Sequence, residues 1–128
     1  MNSVPLLQRR VQLALGEYPV DAAFSPDGAT VVVAGGEGGV FRVSLRAAGK
    51  AERIGEHSGG ALALAWQPAG ALFASSGQDG AVRLWDSRNT DSRVIHTHRE
   101  WTEHLSFSGN GKLLAVGNAT RLHIFDSA

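Results

Sequence analysis

The chain has 128 residues, the length of one ordinary domain, and its 43% hydrophobic content is enough to build a core. Twelve basic and twelve acidic residues cancel to zero net charge, which removes the electrostatic footprint of a nucleic-acid binder or an anionic-membrane binder. There is no cysteine, so disulfides and cysteine-ligated zinc are excluded and a reducing compartment is allowed.

The first residues, Met1 to Leu15, hold short apolar pairs broken by Gln8, Arg9, Arg10 and Gln12. That pattern lacks the continuous apolar centre of a signal peptide, and no run in the chain is long enough to cross a membrane. The expectation is a soluble, cytoplasmic protein. Val11, Leu13 and Leu15 alternate with other residues, so Leu6 to Leu15 reads as a strand. Further strands are expected at Val31–Ala34, Phe41–Val43, Ala61–Trp66, Leu72–Ser76, Ala81–Trp85, Leu113–Val116 and Leu122–Phe125. Asp27-Gly28 and Asn110-Gly111 are strong hairpin turns, because both residue types tolerate positive φ. Sixteen glycines, set between short apolar runs, fit turns and argue against a helical bundle.

These elements repeat. Phe24-Ser25-Pro26-Asp27-Gly28, Trp66-Gln67-Pro68-Ala69-Gly70 and Phe107-Ser108-Gly109-Asn110-Gly111 follow one another at intervals of 42 and 41 residues. A fixed period of this size marks stacked supersecondary units. Each unit reads as three hairpin-linked strands preceded by a more polar one, which for the middle unit lies near Lys50 to Gly55. Such sheets, apolar on both faces, stack radially into a β-propeller. The reading is one module over residues 1–128, with repeats at about 6–45, 50–86 and 91–126.

The middle repeat resembles the WD-repeat family. It carries His57, Ala61, Leu64, Trp66, Pro68, Gly70, Leu72-Phe73-Ala74-Ser75, Gln78-Asp79-Gly80 and Val82-Arg83-Leu84-Trp85-Asp86. In that family a histidine, a strand serine or threonine, a turn aspartate and a tryptophan share one buried hydrogen-bond network. The resemblance implies His57, Ser75, Asp79 and Trp85 for those roles. The first repeat departs from the pattern, with Leu15 at the histidine position and Ser44 at the tryptophan position. The third has His98 nine residues before Phe107, ends in Phe125-Asp126, and places Val116 near the serine position. One complete network is therefore expected.

The fold class that follows is all-β, a propeller segment of three four-stranded antiparallel blades. Leu6 to Leu15 reads as an outer strand without a sheet, and the last sheet, ending at Leu122 to Asp126, as one without its outer strand. Known propellers have at least four blades, so this segment is a partial ring or one completed by oligomerisation. An end blade has a face of roughly 340 Å², and leaving it wet forgoes about 8 kcal/mol. Self-association to a six-bladed dimeric ring, or continuation into further blades of a longer chain, is expected.

Function follows from surface rather than from a reaction centre. His57, Ser75 and Asp79 are the residue types of a hydrolase triad, but Ala74-Ser75-Ser76-Gly77 is no nucleophile elbow. No catalytic residue, metal or cofactor is expected. Gly35-Gly36-Glu37-Gly38-Gly39 has no following lysine and helix, so it reads as a turn and not a phosphate loop. His96, His98 and His104, with Glu100 and Glu103, are the residues a metal-binding or enzymatic alternative would use. Tyr18 and Trp101, each six residues before the shared aromatic, are candidate anchors for a protein or peptide partner, with Gln78 and Glu103 beside them. The expected role is a binding or scaffolding module, the remaining alternative being a purely structural assembly unit.

Overall fold

The computed structural model describes residues 6–46 and 49–126. Among them are eleven strands and no helix: β1 (Pro19–Phe24), β2 (Thr30–Gly35), β3 (Gly39–Ser44), β4 (Ala51–Glu56), β5 (Ala61–Trp66), β6 (Leu72–Gly77), β7 (Ala81–Asp86), β8 (Ser92–Thr97), β9 (Thr102–Phe107), β10 (Leu113–Asn118) and β11 (Arg121–Asp126). They form three antiparallel sheets in the orders β1-β2-β3-β4, β5-β6-β7-β8 and β9-β10-β11. The first strands β1, β5 and β9 lie against one another, so the sheets stack as blades around one side.

The turns explain how the period arises. In the first blade Ser25 and Asp27 tie the β1–β2 corner: Ser25 Oγ donates to Asp27 Oδ1 at 2.6 Å and the Thr30 N–H donates to Ser25 Oγ at 3.1 Å. The third blade repeats this with Ser108 and Asn110, at 2.7 Å, and the Leu113 N–H on Ser108 Oγ at 3.0 Å. Gly28 and Gly111 both sit at φ 73°, the left-handed conformation this corner requires. Each first strand also carries the same bulge, at Val20, Leu62 and Glu103, where the register to the second strand skips one residue. A bulge re-aims its side chain, here at the start of every innermost strand.

The core has two interblade layers, and Val33, Phe41 and Val43 are buried on the other face of the first blade. Val32, Ala34 and Val40 of the first blade pack with Ala61, Leu64, Phe73 and Trp85 of the second. Ala74 and Val82 on the other face of the second blade pack with Leu114 and Val116 of the third. Polar pins cross each junction. The Leu64 N–H donates to Asp21 Oδ2 at 3.0 Å and the Trp66 indole N–H to the Ala23 carbonyl at 3.1 Å. At the second junction Ser76 Oγ donates to the Thr102 carbonyl at 2.8 Å. Both Ser76 and Thr102 are fully buried, which makes these bonds costly to lose.

Four expectations are corrected. Leu6 to Leu15 is not a strand. The outer edge of β3 is already taken by β4, so this segment has no ladder to join, and it runs instead beside Gly49, where a Cβ would meet Val11 and Leu13. The polar strand before the middle repeat, Ala51–Glu56, pairs with β3 of the preceding blade, so each sheet is staggered by one strand from the sequence repeat. The reading of every blade as four-stranded fails in the third sheet, which has three strands among the described residues and lacks the outer strand, as the reading of the last repeat expected. The tryptophan position of the first repeat is held by Val43 and not Ser44: Val31 pairs with Val43 as Phe73 pairs with Trp85.

Candidate functional site

Two regions concentrate the sequence-singled residues: the interior of the second blade and the loop face at the starts of β1, β5 and β9. In the interior, the structure brings His57, Ser75, Asp79 and Trp85 into one chain of bonds. Asp79 Oδ1 lies 3.0 Å from His57 Nδ1, His57 Nε2 lies 2.7 Å from Ser75 Oγ, and the Trp85 indole N–H donates to the same Ser75 Oγ at 2.8 Å. Burial favours the neutral imidazole, and one of its tautomers satisfies every bond in the chain. The Ser75 oxygen accepts from Trp85, and its one proton is satisfied by a His57 Nε2 that accepts. His57 is then neutral with its proton on Nδ1, directed at Asp79. Burial holds the His57 imidazole below its ordinary value, and the opposing pull of Asp79 is the smaller effect. Asp79 also accepts from the Ser58 and Ala81 N–H groups, which locks the β6–β7 turn.

His57 and Ser75 are both 0% exposed. A serine with no access and a hydroxyl committed on both sides cannot meet a substrate carbonyl, so the arrangement works as a clamp. Around it Trp66, Phe73 and Trp85 form an aromatic column, with ring centroids 4.9 and 5.9 Å apart. The indole reaches across the junction to Gly55, where any side chain would strike it.

The neighbouring blades solve the same place differently. In the first, Glu17 reaches into the β2–β3 turn and accepts from the Glu37 and Gly39 N–H groups at 2.9 and 3.1 Å. Sequence reasoning missed Glu17, because it lies two residues beyond the position aligned with His57. In the third, His98 stands at the histidine position with Val116 and Thr120 where a serine and an aspartate would serve it. Its Nε2 is buried without a partner. His96 packs 4.3 Å from His98, and the third imidazole nearby is His123, not His104. His104 is exposed beside Gly117. Among the described residues no group of three or more histidines and carboxylates is placed to hold a metal ion.

On the loop face, Tyr18 and Trp101 are 86% and 52% exposed. Gly36 N–H donates to the Tyr18 carbonyl at 2.8 Å and Gln78 N–H to the Gly60 carbonyl at 2.8 Å, so the two turns are equivalent. Gln78 lies over Gly59 and Gly60, half-buried, and Glu103 occupies the exposed bulge of β9. Val20, at the same bulge of β1 and 49% exposed, joins this face. Its signal was available in the spacing to Leu62 and Glu103.

Comparison with known proteins agrees with this geometry. Residues 50–86 match the WD40 family, described as WD domain, G-beta repeat. A 41-residue stretch, 32% of the chain, is 44% identical to the probable cytosolic iron-sulfur protein assembly protein Ciao1 of Anopheles gambiae, and spans 12% of that protein. The solved RRP9 WD40 repeats superpose with a TM-score of 0.82 at 16% identity, covering 92% of this chain and 38% of that one. U3-55K gives 0.81 at 16% identity with coverage of 92% and 38%. A chain of a mitotic checkpoint complex gives 0.76 at 22% identity, with coverage of 91% and 36%. The chain thus spans little more than a third of the solved chains it matches. Residues 50–86 are similar to a WD repeat, and the described chain has the fold of a three-blade stretch of a WD-repeat propeller.

Proposed function

We propose that this propeller stretch is a binding or scaffolding module of the cytoplasm that docks a protein or peptide on its loop face. Tyr18 and Trp101 are the anchors, and Gln78, Glu103 and Val20 shape the ground between them. The observation that carries this reading is the exposure of two large aromatic side chains, 86% and 52%, at the same position of the first and third repeats, with Gly60 leaving a gap in the second. Aromatic groups supply much contact area at small entropic cost, which is why they anchor interfaces. The full burial of His57 and Ser75 supports a structural rather than a catalytic use of that trio. In this reading the two end blades are met either by a second copy, completing a six-bladed ring, or by further blades of a longer chain.

The test is a peptide-display selection against the 128-residue chain, followed by amide chemical-shift mapping of the best peptide. Shifts centred on Tyr18, Gly36, Gln78, Trp101 and Glu103 support the proposal. Shifts centred on the rim strands β4 and β8 overturn it.

A further inference from the structure

Three imidazoles meet at the junction of the second and third blades, and each comes from a different element: His96 from β8, His98 from the β8–β9 connection and His123 from β11. Ring centroids are 4.3 Å apart for His96 and His98, 4.5 Å for His98 and His123, and 6.1 Å for His96 and His123. All three are half-buried. Phe125 closes one side, 4.8 Å from the His96 ring. We propose that this cluster is an acid-sensitive latch, which holds the third blade against the second while the rings are neutral and releases it when they take up protons.

The surroundings leave the charge of a protonated cluster unanswered. His96 pairs across to the apolar Val82 on β7. On β10, Asn118 offers its amide oxygen to His123 Nε2 at 3.0 Å. The charged groups sharing a cavity wall with His96 are Arg93 and Asp126, one of each sign. Arg99, Glu100 and Arg121, the nearest charges along the chain, are exposed. His98 is held below its ordinary value first by burial and then by the other two histidines, with no carboxylate acting on it. His57, at the same place in the preceding repeat, has both Asp79 and Ser75. The third blade has therefore kept the histidine and lost the partners that would steady a charged form. Like charges this close repel, and opening the junction separates them.

The consequence is local. Acid would loosen β9–β11 in preference to the first blade, and with it the part of the loop face that carries Trp101 and Glu103. Amide hydrogen exchange of the whole chain at pH 7.5, 6.5 and 5.5, corrected for intrinsic rates, reads this directly. If opening takes up one proton, protection falls by about tenfold per pH unit of acidification. The expected result is that Ala115 and Val116 lose protection to that extent beyond any loss at Val32 and Val40, and that His98→Gln removes the excess. His123→Gln, on the half-exposed β11, gives the same reading if the first variant does not fold. Global acid unfolding would move both blades together. Equal loss in the two blades, or an excess that persists in the folded variants, overturns the proposal.

Discussion

Glu17 of the first blade stands where His57 stands in the second: each side chain lies against the glycine that closes the second strand of its sheet, Gly35 and Gly77, leaving no room for a Cβ. His57 acts there through Asp79, whose carboxylate accepts the Ala81 N–H at 3.0 Å. Glu17 supplies the carboxylate itself, accepting the equivalent Gly39 N–H at 3.1 Å. One acidic side chain thus replaces a histidine–aspartate pair in closing the turn.

Glu17→Ala should therefore destabilise the chain by about 1–3 kcal/mol, the cost of leaving turn N–H groups without their charged acceptor. Urea unfolding would measure it. A change within experimental error would mean that water serves the turn equally well.

The contact of Gly55 with the Trp85 indole makes a paired prediction. Gly55→Ala forces the indole to move and should cost about 1–3 kcal/mol. Trp85→Phe loses the bond to Ser75 and leaves a void, costing about 2–4 kcal/mol. In the double variant the void accepts the new methyl group, so the two costs should not add. Strict additivity would show that the ring and the glycine are not coupled.

The His57 environment sets a pH dependence. Its value is lowered in the folded chain, so the unfolded chain binds the proton more readily. Stability is full above the ordinary histidine value of 6.5 and falls as pH drops below it, by at most about 1.4 kcal/mol per pH unit for one proton. His98 is lowered too and adds to the slope in the same direction. Denaturation midpoints between pH 7.5 and 5.5 should fall in the wild type and fall less steeply in His57→Gln. A flat profile would mean that the imidazole is not buried neutral.

Exposed apolar side chains at the two ends predict self-association of the isolated chain. Phe24 is 64% exposed on the first blade, and Leu122 and Ile124 are 71% and 56% exposed on the third. Light scattering should give a mass of twice 13.5 kDa or larger assemblies, with Phe24→Ser and Leu122→Ser shifting the population toward monomer. A monodisperse monomer that unfolds cooperatively would contradict this.

How much of this was legible beforehand follows the physics of each feature. The period and the turns could be read from the residues, because turn chemistry ties glycine, aspartate and asparagine to fixed spacings, whereas the residues of the His57 network were implied by the resemblance to the WD-repeat family. The stagger of the sheets was legible only at the two ends, where the first outer segment has no sheet and the last sheet no outer strand; within the chain Ala51–Glu56 has the same local character whichever neighbour it pairs with, and the ladder to β3 decides. Glu17 escaped because a long side chain reached a position that backbone alignment assigned to Leu15. The histidine cluster was half legible. His96 and His98 are adjacent in an extended segment, whereas choosing His123 over His104 needed strand parity. Leu105 and Phe107 pack against the second blade, which turns His104 away, while Phe125 packs inward and takes His123 to the same side.

Docking through the aromatic anchors of the loop face is tested by comparing Tyr18→Ala and Trp101→Ala with the wild type. The comparison records both the melting temperature and the affinity for a display-selected peptide. Each variant should lose affinity by about tenfold or more, with little change in melting temperature. Unchanged affinity, or a large fall in melting temperature in both variants, would contradict this docking mode, since the two aromatics would then be packing residues and not anchors.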